Sequence, residues 1–363
     1  MNINVTMPFL PPVEEYQAYI NGIWKRNWLT NNGPLLNDLE LKLKQYLGLD
    51  YLLYVANGTV ALQIAIKALK LSGEIITTPF SYVATTSSIV WEGCEPVMVD
   101  IAPDTLNIDP SMIEAAITER TTAILATHVF GNPCDTEAIG AIAAKHGLKV
   151  IYDAAHAFGV RYLGKSLYAF GDVATASFHA TKVFHTVEGG AVMAQSPDVL
   201  REMAMLRNFG HINATEFGGV GINAKNSEFH AAMGLCVLPY IDGIIKSRRL
   251  VCERYDRNLK GLPVTRPRIA ANCDYNYAYY PVMLRDEATL LKVVDACNLA
   301  GIYPRRYFYP SLNNLPYITR GFQVPVSEDA ARRILCLPLY DQLSIEEVDM
   351  ISRVLHRALK YGL

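Results

Sequence analysis

The chain has 363 residues, is 51% hydrophobic and carries a formal net charge of −2, which gives ample volume for a core in one large or two medium domains. That balance excludes a disordered chain and argues against a nucleic-acid binder, whose basic excess would show in the total. The start, Met1-Asn2-Ile3-Asn4-Val5, lacks the basic and apolar regions of a signal peptide, and no apolar run looks long enough to span a bilayer.

From Tyr51 onward, short β-branched runs alternate with helical patterns. Tyr51–Val55 predicts a strand, and Gly58–Leu71 a helix with Leu62, Ala65, Ile66 and Leu69 on one face. Strands are expected at Glu74–Thr78, Pro96–Asp100, Thr122–Thr127, Lys149–Asp153 and Val173–Phe178, and a helix at Ser81–Trp91. Thr136–His146 is an amphipathic helix that Asp135 caps and Gly147 stops. Strands separated by helices need crossovers, so the sheet is mostly parallel and covered on both faces. Helices follow at Ser196–Leu206 and Ser227–Leu238, with the glycine-rich stretch Gly210–Gly221 between them. A long basic-sided helix from Ile244 leads into a tail of strands (Tyr277–Leu284, Ile334–Leu337) and helices (Glu287–Ala300, Ser344–Lys360). This divides the chain into a large α/β domain, residues 1–240, and a smaller α+β domain, residues 241–363. Seven scattered cysteines without a CxxC pair suggest neither a disulfide framework nor a metal site, and with the missing signal peptide they place the protein in a reducing cytoplasm.

Ligands of α/β proteins collect at the carboxyl ends of parallel strands, and several polar residues fall there. Asn57-Gly58-Thr59 ends one strand and opens a helix, either as a phosphate seat or as a plain cap. Asp153 ends Val150-Ile151-Tyr152; it either pairs with a cation or holds a ring nitrogen protonated. His156 is a ring-hydroxyl partner or merely a satisfied polar residue. Tyr82 is a stacking platform or ordinary packing. Lys182, in Ser177-Phe178-His179-Ala180-Thr181-Lys182 and followed by Glu188-Gly189-Gly190, is a nucleophilic amine if burial lowers its pKa, and otherwise a surface-loop lysine.

Together these motifs closely resemble the nucleotide-sugar aminotransferases of the DegT/StrS group, which are fold type I enzymes of pyridoxal 5'-phosphate (PLP). The resemblance extends to Trp28–Pro34, Pro79–Thr85, Gly221–Glu228 and Leu337–Tyr340, nearly end to end. It implies a large domain with a mostly parallel seven-stranded sheet and a homodimer with shared active sites. It also implies Lys182 as covalent anchor and proton shuttle, Asp153 on the pyridine nitrogen, Tyr82 stacked on the ring, and Gly58, Thr59 and Ser177 on the phosphate. Asn223 would reach that phosphate from the other subunit, and His156, where the family often has glutamine, would meet the ring oxygen. Thr30, His185, Lys225, Arg305 and Tyr309 are candidates for the substrate, with Arg305, Arg306 or Lys225 on the diphosphate. Lys225, Asn226 and Phe308 depart from the family pattern, Phe308 standing where a histidine is common.

The implied reaction moves an amino group from L-glutamate to a keto sugar, with C-4 of a dTDP-4-keto-6-deoxyhexose favoured and surface polysaccharide as the destination. A 3-keto sugar or a UDP or GDP carrier is the alternative. A dehydratase of the same fold would carry histidine in place of Lys182, and a silent sugar-binding relative should have lost Lys182 or Asp153. No GxGxxG follows the first strand, which speaks against a nicotinamide dehydrogenase.

Overall fold

The structure, a computed structural model, describes residues 2–361. Seven strands form its central sheet: β1 (Leu52–Val55), β2 (Glu74–Thr77), β3 (Glu95–Met98), β4 (Thr121–Thr127), β5 (Lys149–Asp153), β6 (Val173–Ser177) and β7 (Gly190–Ala194), in the spatial order β1-β7-β6-β5-β4-β2-β3. Side chains alternate between two cores, as a pleated strand requires. Leu52 and Tyr54 enter one core with Ile124, Ala126, Val150 and Tyr152. Leu53 and Val55 enter the other with Ala123, Leu125 and Ile151. Both faces are thus buried, which explains strands that read as continuous apolar runs.

Six strands run parallel to one another; β7 runs antiparallel to both neighbours. This strand was not expected from the sequence. Gly190-Ala191 has little strand propensity of its own, and pairing on both edges overrides it. Gly190 is also needed for close approach, since a Cβ there would lie 2.5 Å from the carbonyl carbon of Asn57. The hairpin-like return from β6 to β7 holds Lys182 over the carboxyl ends of the parallel strands.

Helices α1 (Val13–Arg26) and α2 (Pro34–Leu47) precede the sheet and also went unpredicted. Only Ile23 of α1 is buried, so its apolar stripe is weak in sequence. Leu35, Leu36, Leu39, Leu43 and Leu47 of α2 join the first core. Then come α3 (Gly58–Ala68), α4 (Val83–Trp91), α5 (Thr136–His146), α6 (Pro197–Arg207), α7 (Glu228–Val237) and α8 (Ile241–Asn258). The helical run Glu228–Asn258 is long and apolar enough by composition to cross a membrane, contrary to the sequence expectation. Its first half packs as a core helix, with Ala231, Ala232 and Leu235 buried beneath α1 and α2.

Glu228 is fully buried and accepts hydrogen bonds from the N–H groups of Leu35 (3.0 Å) and Leu36 (2.9 Å), in the first turn of α2. The carboxylate supplies the cap that Gly33 and Pro34 cannot, and its charge suits the positive helix end. Arg26 lies 3.8 Å away. Glu228→Ala is expected to leave both N–H groups dry and unpaired, lowering stability by about 2 kcal/mol. Urea denaturation checks this, and Glu228→Gln should recover part of the loss.

The remaining chain forms an antiparallel pair, β8 (Tyr280–Met283) and β9 (Ile334–Leu337), with α9 (Glu287–Leu299), α10 (Pro325–Arg333) and α11 (Ile345–Tyr361). Val251 and Tyr255 of α8, Leu290 and Val293 of α9, and Ile351 and Leu355 of α11 share a separate core. Ile3 joins this core because Ile3–Asn4 pairs with Ile302–Tyr303. The C-terminal part is tied back to the sheet by Asp100, whose carboxylate accepts from the N–H groups of Val326 and Ser327 (2.8 Å each) and so caps α10.

Candidate active site

The carboxyl ends of β4, β5 and β6 present Thr127, Asp153 and Ser177, and the strand register sets Thr127 beside Asp153. Above them lies a cavity of ≈ 460 Å³, walled also by the start of α3, Tyr82, His156, Lys182 and, from the C-terminal part, Tyr279, Arg305, Tyr307 and Phe308. A larger cleft of ≈ 660 Å³ lies between α8 and Arg161–Ser166. Several of its polar groups already have partners: the Tyr46 hydroxyl donates to Asp242, Arg249 pairs with Glu253, and Arg161 donates to the Gly164 carbonyl. The smaller cavity holds the buried, unpaired polar groups that chemistry needs.

Asn57 caps α3, its side chain accepting from Val60 N–H at 2.9 Å. The cap and the phosphate seat are therefore compatible: Asn57 uses one donor, while the N–H groups of Gly58 and Thr59 have no intrahelical acceptor and face the cavity end. A Cβ on Gly58 would lie 2.9 Å from Ser177 Cβ, so only glycine lets the helix start press against β6.

Asp153 is 6% exposed and forms no salt bridge among the described residues. Its Oδ2 accepts from the Thr85 hydroxyl at 2.7 Å, and Oδ1 from Ala155 N–H at 3.2 Å. Burial pushes its carboxyl above the usual range; the Thr85 bond, the Ala155 N–H and the charge of Lys182 pull against that. Lys182 is half-buried, and its ammonium makes no hydrogen bond or ion pair among the described residues. Burial lowers its pKa, opposed by Tyr307, Asp153 and Tyr82. This is a lysine moved toward the free amine, as a nucleophile requires. His156 is neutral at pH 7, because burial and then the Lys182 charge hold its pKa well below the ordinary value. Its Nδ1 is buried without a partner. The ring is parallel to Phe308 (5.8 Å between centroids, 5°) and tilted against Tyr279 (4.8 Å).

The cavity thus gathers Gly58, Thr59, Tyr82, Asp153, His156, Ser177, Lys182 and Arg305. Tyr82 caps the cavity side of α4 and is 59% exposed, leaving its face open to a flat ligand. Arg305 donates to the Tyr307 hydroxyl at 3.0 Å, whereas Arg306 turns to Glu287 (2.6 Å) and lies over the Tyr309 ring. Thr30, Asn223, Lys225, Tyr309 and His185 do not line this cavity. His185 is buried, with Nε2 2.7 Å from the Phe9 carbonyl and Nδ1 accepting from Val187 N–H, so its ring holds the loop together. Lys225 donates to Asn208 at 2.8 Å and sits over Phe209. Thr30 and Asn223 are exposed.

Sequence reasoning missed Ser81, Thr85 and Thr127 as site residues, and also Tyr279 and Tyr307. Thr85 lies one helical turn past Tyr82, and Thr127 ends the strand beside β5, so spacing held a usable signal for both. Tyr279 and Tyr307 arrive from the C-terminal part and had none.

The arrangement fits an aldehyde cofactor that bears a phosphate, a ring nitrogen and a ring hydroxyl. The α3 start with Ser177 would take the phosphate, Asp153 the ring nitrogen, the orphaned Nδ1 face of His156 the hydroxyl, and Lys182 the aldehyde. Among the described residues, no group of three His, Cys, Asp or Glu is placed to hold a metal.

Comparison with known proteins agrees. The pattern of the DegT/DnrJ/EryC1/StrS aminotransferase family matches residues 12–356. The chain is 43% identical to a dTDP-4-amino-4,6-dideoxy-D-glucose transaminase of Shigella dysenteriae, over 96% of this chain and 97% of that one. Identity is 40% to a transaminase of the same name from Escherichia coli, over 97% and 98%. The fold superposes on the crystal structure of DesI in the presence of its TDP-sugar product with a TM-score of 0.95, at 32% identity, over 99% of this chain and 94% of that one.

Proposed function

Because the chain belongs to the DegT/DnrJ/EryC1/StrS aminotransferase family, we propose that its cavity holds PLP and carries an amino group from L-glutamate to C-4 of a dTDP-linked 4-keto-6-deoxyhexose. The product is a dTDP-4-amino-4,6-dideoxyhexose, with the glucose form favoured by the names of the two relatives, made by a cytoplasmic enzyme and destined for O-antigen-type surface polysaccharide. The observation that carries this reading is the pairing, in one cavity, of a lysine shifted toward its free amine with a buried carboxylate that lacks a cationic partner.

When bound, the cofactor supplies an aldehyde to take up the amino group and an electron-poor ring to stabilise the carbanion. The protein supplies placement and protons. Gly58, Thr59 and Ser177 hold the phosphate; Asp153 keeps the ring nitrogen protonated; Tyr82 covers the ring. Lys182 Nζ would take the proton from the α-carbon of the donor and pass it across the nitrogen to the aldehyde carbon of the cofactor, and in the second half-reaction it would move a proton in the reverse sense, onto the sugar carbon. The donor leaves as a 2-oxo acid and the keto sugar leaves as an amine. Arg305, on the cavity wall, is the cation for the sugar diphosphate.

The assembly in this proposal is a homodimer. Phe209, Phe217, Val220 and Ile222 are exposed on one loop, an apolar group that a second copy would cover. Asn223 at the end of that loop then reaches the phosphate of the neighbouring copy, and Thr30, Lys225 and Tyr309 approach its sugar nucleotide. Residues 1–240 and 241–363 are read as the large and small domains.

The test is direct. Protein, PLP and L-glutamate are incubated with a panel of 3-keto and 4-keto sugars on dTDP, UDP and GDP, and the aminated carbon is located by mass spectrometry and NMR. Amination at C-4 of the dTDP sugar is expected. Turnover confined to 3-keto sugars or to another nucleotide replaces the substrate assignment, and no amination of any sugar overturns the function.

A further inference from the structure

Three buried hydroxyls stand in line behind Asp153. Thr85 Oγ1 donates to Asp153 Oδ2 at 2.7 Å. Ser81 Oγ lies 2.7 Å from Thr85 Oγ1, and Thr127 Oγ1 lies 3.0 Å from Ser81 Oγ. All three side chains are buried, on three different segments: the β2–α4 loop, α4 and the end of β4.

The direction of these bonds follows from proton counting. A hydroxyl has one proton to give. An ionised Asp153 only accepts, so the Thr85 proton goes to it. Thr85 can then only accept from Ser81, and Ser81 only from Thr127. Every proton in the chain points toward the carboxylate. A neutral Asp153 donating along the same line would reverse all three and leave the Thr127 proton without an acceptor among its bonds. With Asp153 ionised the row has a single polarity, directed at the anion. Aligned hydrogen bonds also strengthen one another in a dry interior.

We infer that Thr85, backed by Ser81 and Thr127, is a positioning residue that keeps Asp153 ionised and fixes its orientation toward the cavity. The problem it solves is desolvation. A carboxylate this deeply buried without a counter-ion tends to take up a proton, and could not then hold a ring nitrogen in its charged form. A salt bridge to Asp153 would solve the first difficulty and spoil the second by competing with the ring. Neutral donors stabilise the anion and leave it free to pair. The inference deepens the proposed function, yet its main test needs neither cofactor nor substrate.

The groups facing Asp153 are Lys182 from the β6–β7 connection, His156 and Tyr82 on the same cavity wall, and Tyr168 beneath it. All four remain in the variants below. Losing a donor to the anion raises the Asp153 pKa further. A raised carboxyl pKa costs stability that is absent below the ordinary value and accumulates as pH rises through the folded value. The deficit of Thr85→Val in the cofactor-free full-length protein should therefore be smallest at the acid end and widen toward neutral pH. A residue that merely packs would give a constant deficit.

The experiment measures melting temperature against pH for the cofactor-free wild type, Thr85→Val and Thr85→Ser, each also with Asp153→Asn. The expected result is a deficit for Thr85→Val that grows with pH, becomes smaller and independent of pH in the Asp153→Asn background, where only neutral hydrogen bonds are lost, and is largely recovered by Thr85→Ser. In the loaded protein, PLP affinity should fall about tenfold in Thr85→Val, the loss of one hydrogen bond to a charged group. A deficit independent of pH in the Asp153 protein, or a pH dependence that persists with Asp153→Asn, overturns the inference. If Thr85→Val does not fold, Ser81→Ala must show the same pH-dependent pattern at smaller amplitude, and a flat profile there overturns it equally. Failure of PLP to bind at all, with the pH pattern present, would count against the proposed function alone.

Discussion

Lys182→Ala should abolish turnover, by about 10³-fold or more, while the melting temperature of the cofactor-free protein holds or rises. The first half follows from the absence of any substitute. Among the described residues Lys182 is the one lysine on the cavity wall, and His156 there is neutral and wedged between Phe308 and Tyr279. The second half follows from electrostatics. The Lys182 ammonium has no hydrogen-bond or ion-pair partner to lose, and burial disfavours its charged form. A lysine whose folded pKa is lowered costs stability at low pH, and that cost fades as pH rises past the folded value toward 10.5. The advantage of the alanine variant should accordingly be full at pH values below the folded pKa and shrink in alkaline buffer. Activity assays, thermal melts at two pH values, and borohydride trapping with peptide mapping together check it. Substantial activity in the variant, or a trapped label at another lysine, would end the proposed mechanism.

How much of this was legible without coordinates depends on which physical signal each residue leaves. Asp153, Ser177 and Lys182 were readable because each is a polar residue at or just past the end of an apolar run, where the cost of burial demands a reason. Thr136–His146 was read to the residue because Asp135 and Gly147 mark both ends. The antiparallel β7 was not legible, since Gly190-Ala191 becomes a strand only through the partners on its two sides. Nor were α1 and α2, whose stability comes from packing on α7 and from the Glu228 cap nearly two hundred residues away. The hydroxyl row is the instructive case. Ser81 and Thr85 are in a segment singled out for Tyr82, but a threonine pointing at an aspartate 68 residues later leaves no local pattern. His185 illustrates the converse: its place near Lys182 in sequence left either a sugar contact or a tight-loop role, and in the fold its ring bonds the Phe9 carbonyl.

Asp153→Asn separates catalysis from folding more sharply than any other single change. Asparagine keeps the shape, and its single amide oxygen can keep the short Thr85 bond while giving up the longer one from Ala155 N–H, so packing and the main local hydrogen bond survive. What disappears is the charge. For stability that is a gain, because the folded-state pKa of Asp153 is raised: wild-type stability falls as pH climbs through that raised value, and the variant has no such fall. The variant should therefore gain on the wild type as pH rises from acid toward neutral. For catalysis it is a loss. A neutral amide cannot hold a ring nitrogen protonated, and activity should drop on the order of 10²-fold, comparable to removing one preorganised electrostatic partner. If Asp153 were instead a structural group paired with some cation, activity and stability would fall together, as breaking a buried ion pair always takes both. Opposite signs in the two measurements can arise only if the carboxylate is held in the fold at a cost, for the sake of what it meets in the cavity.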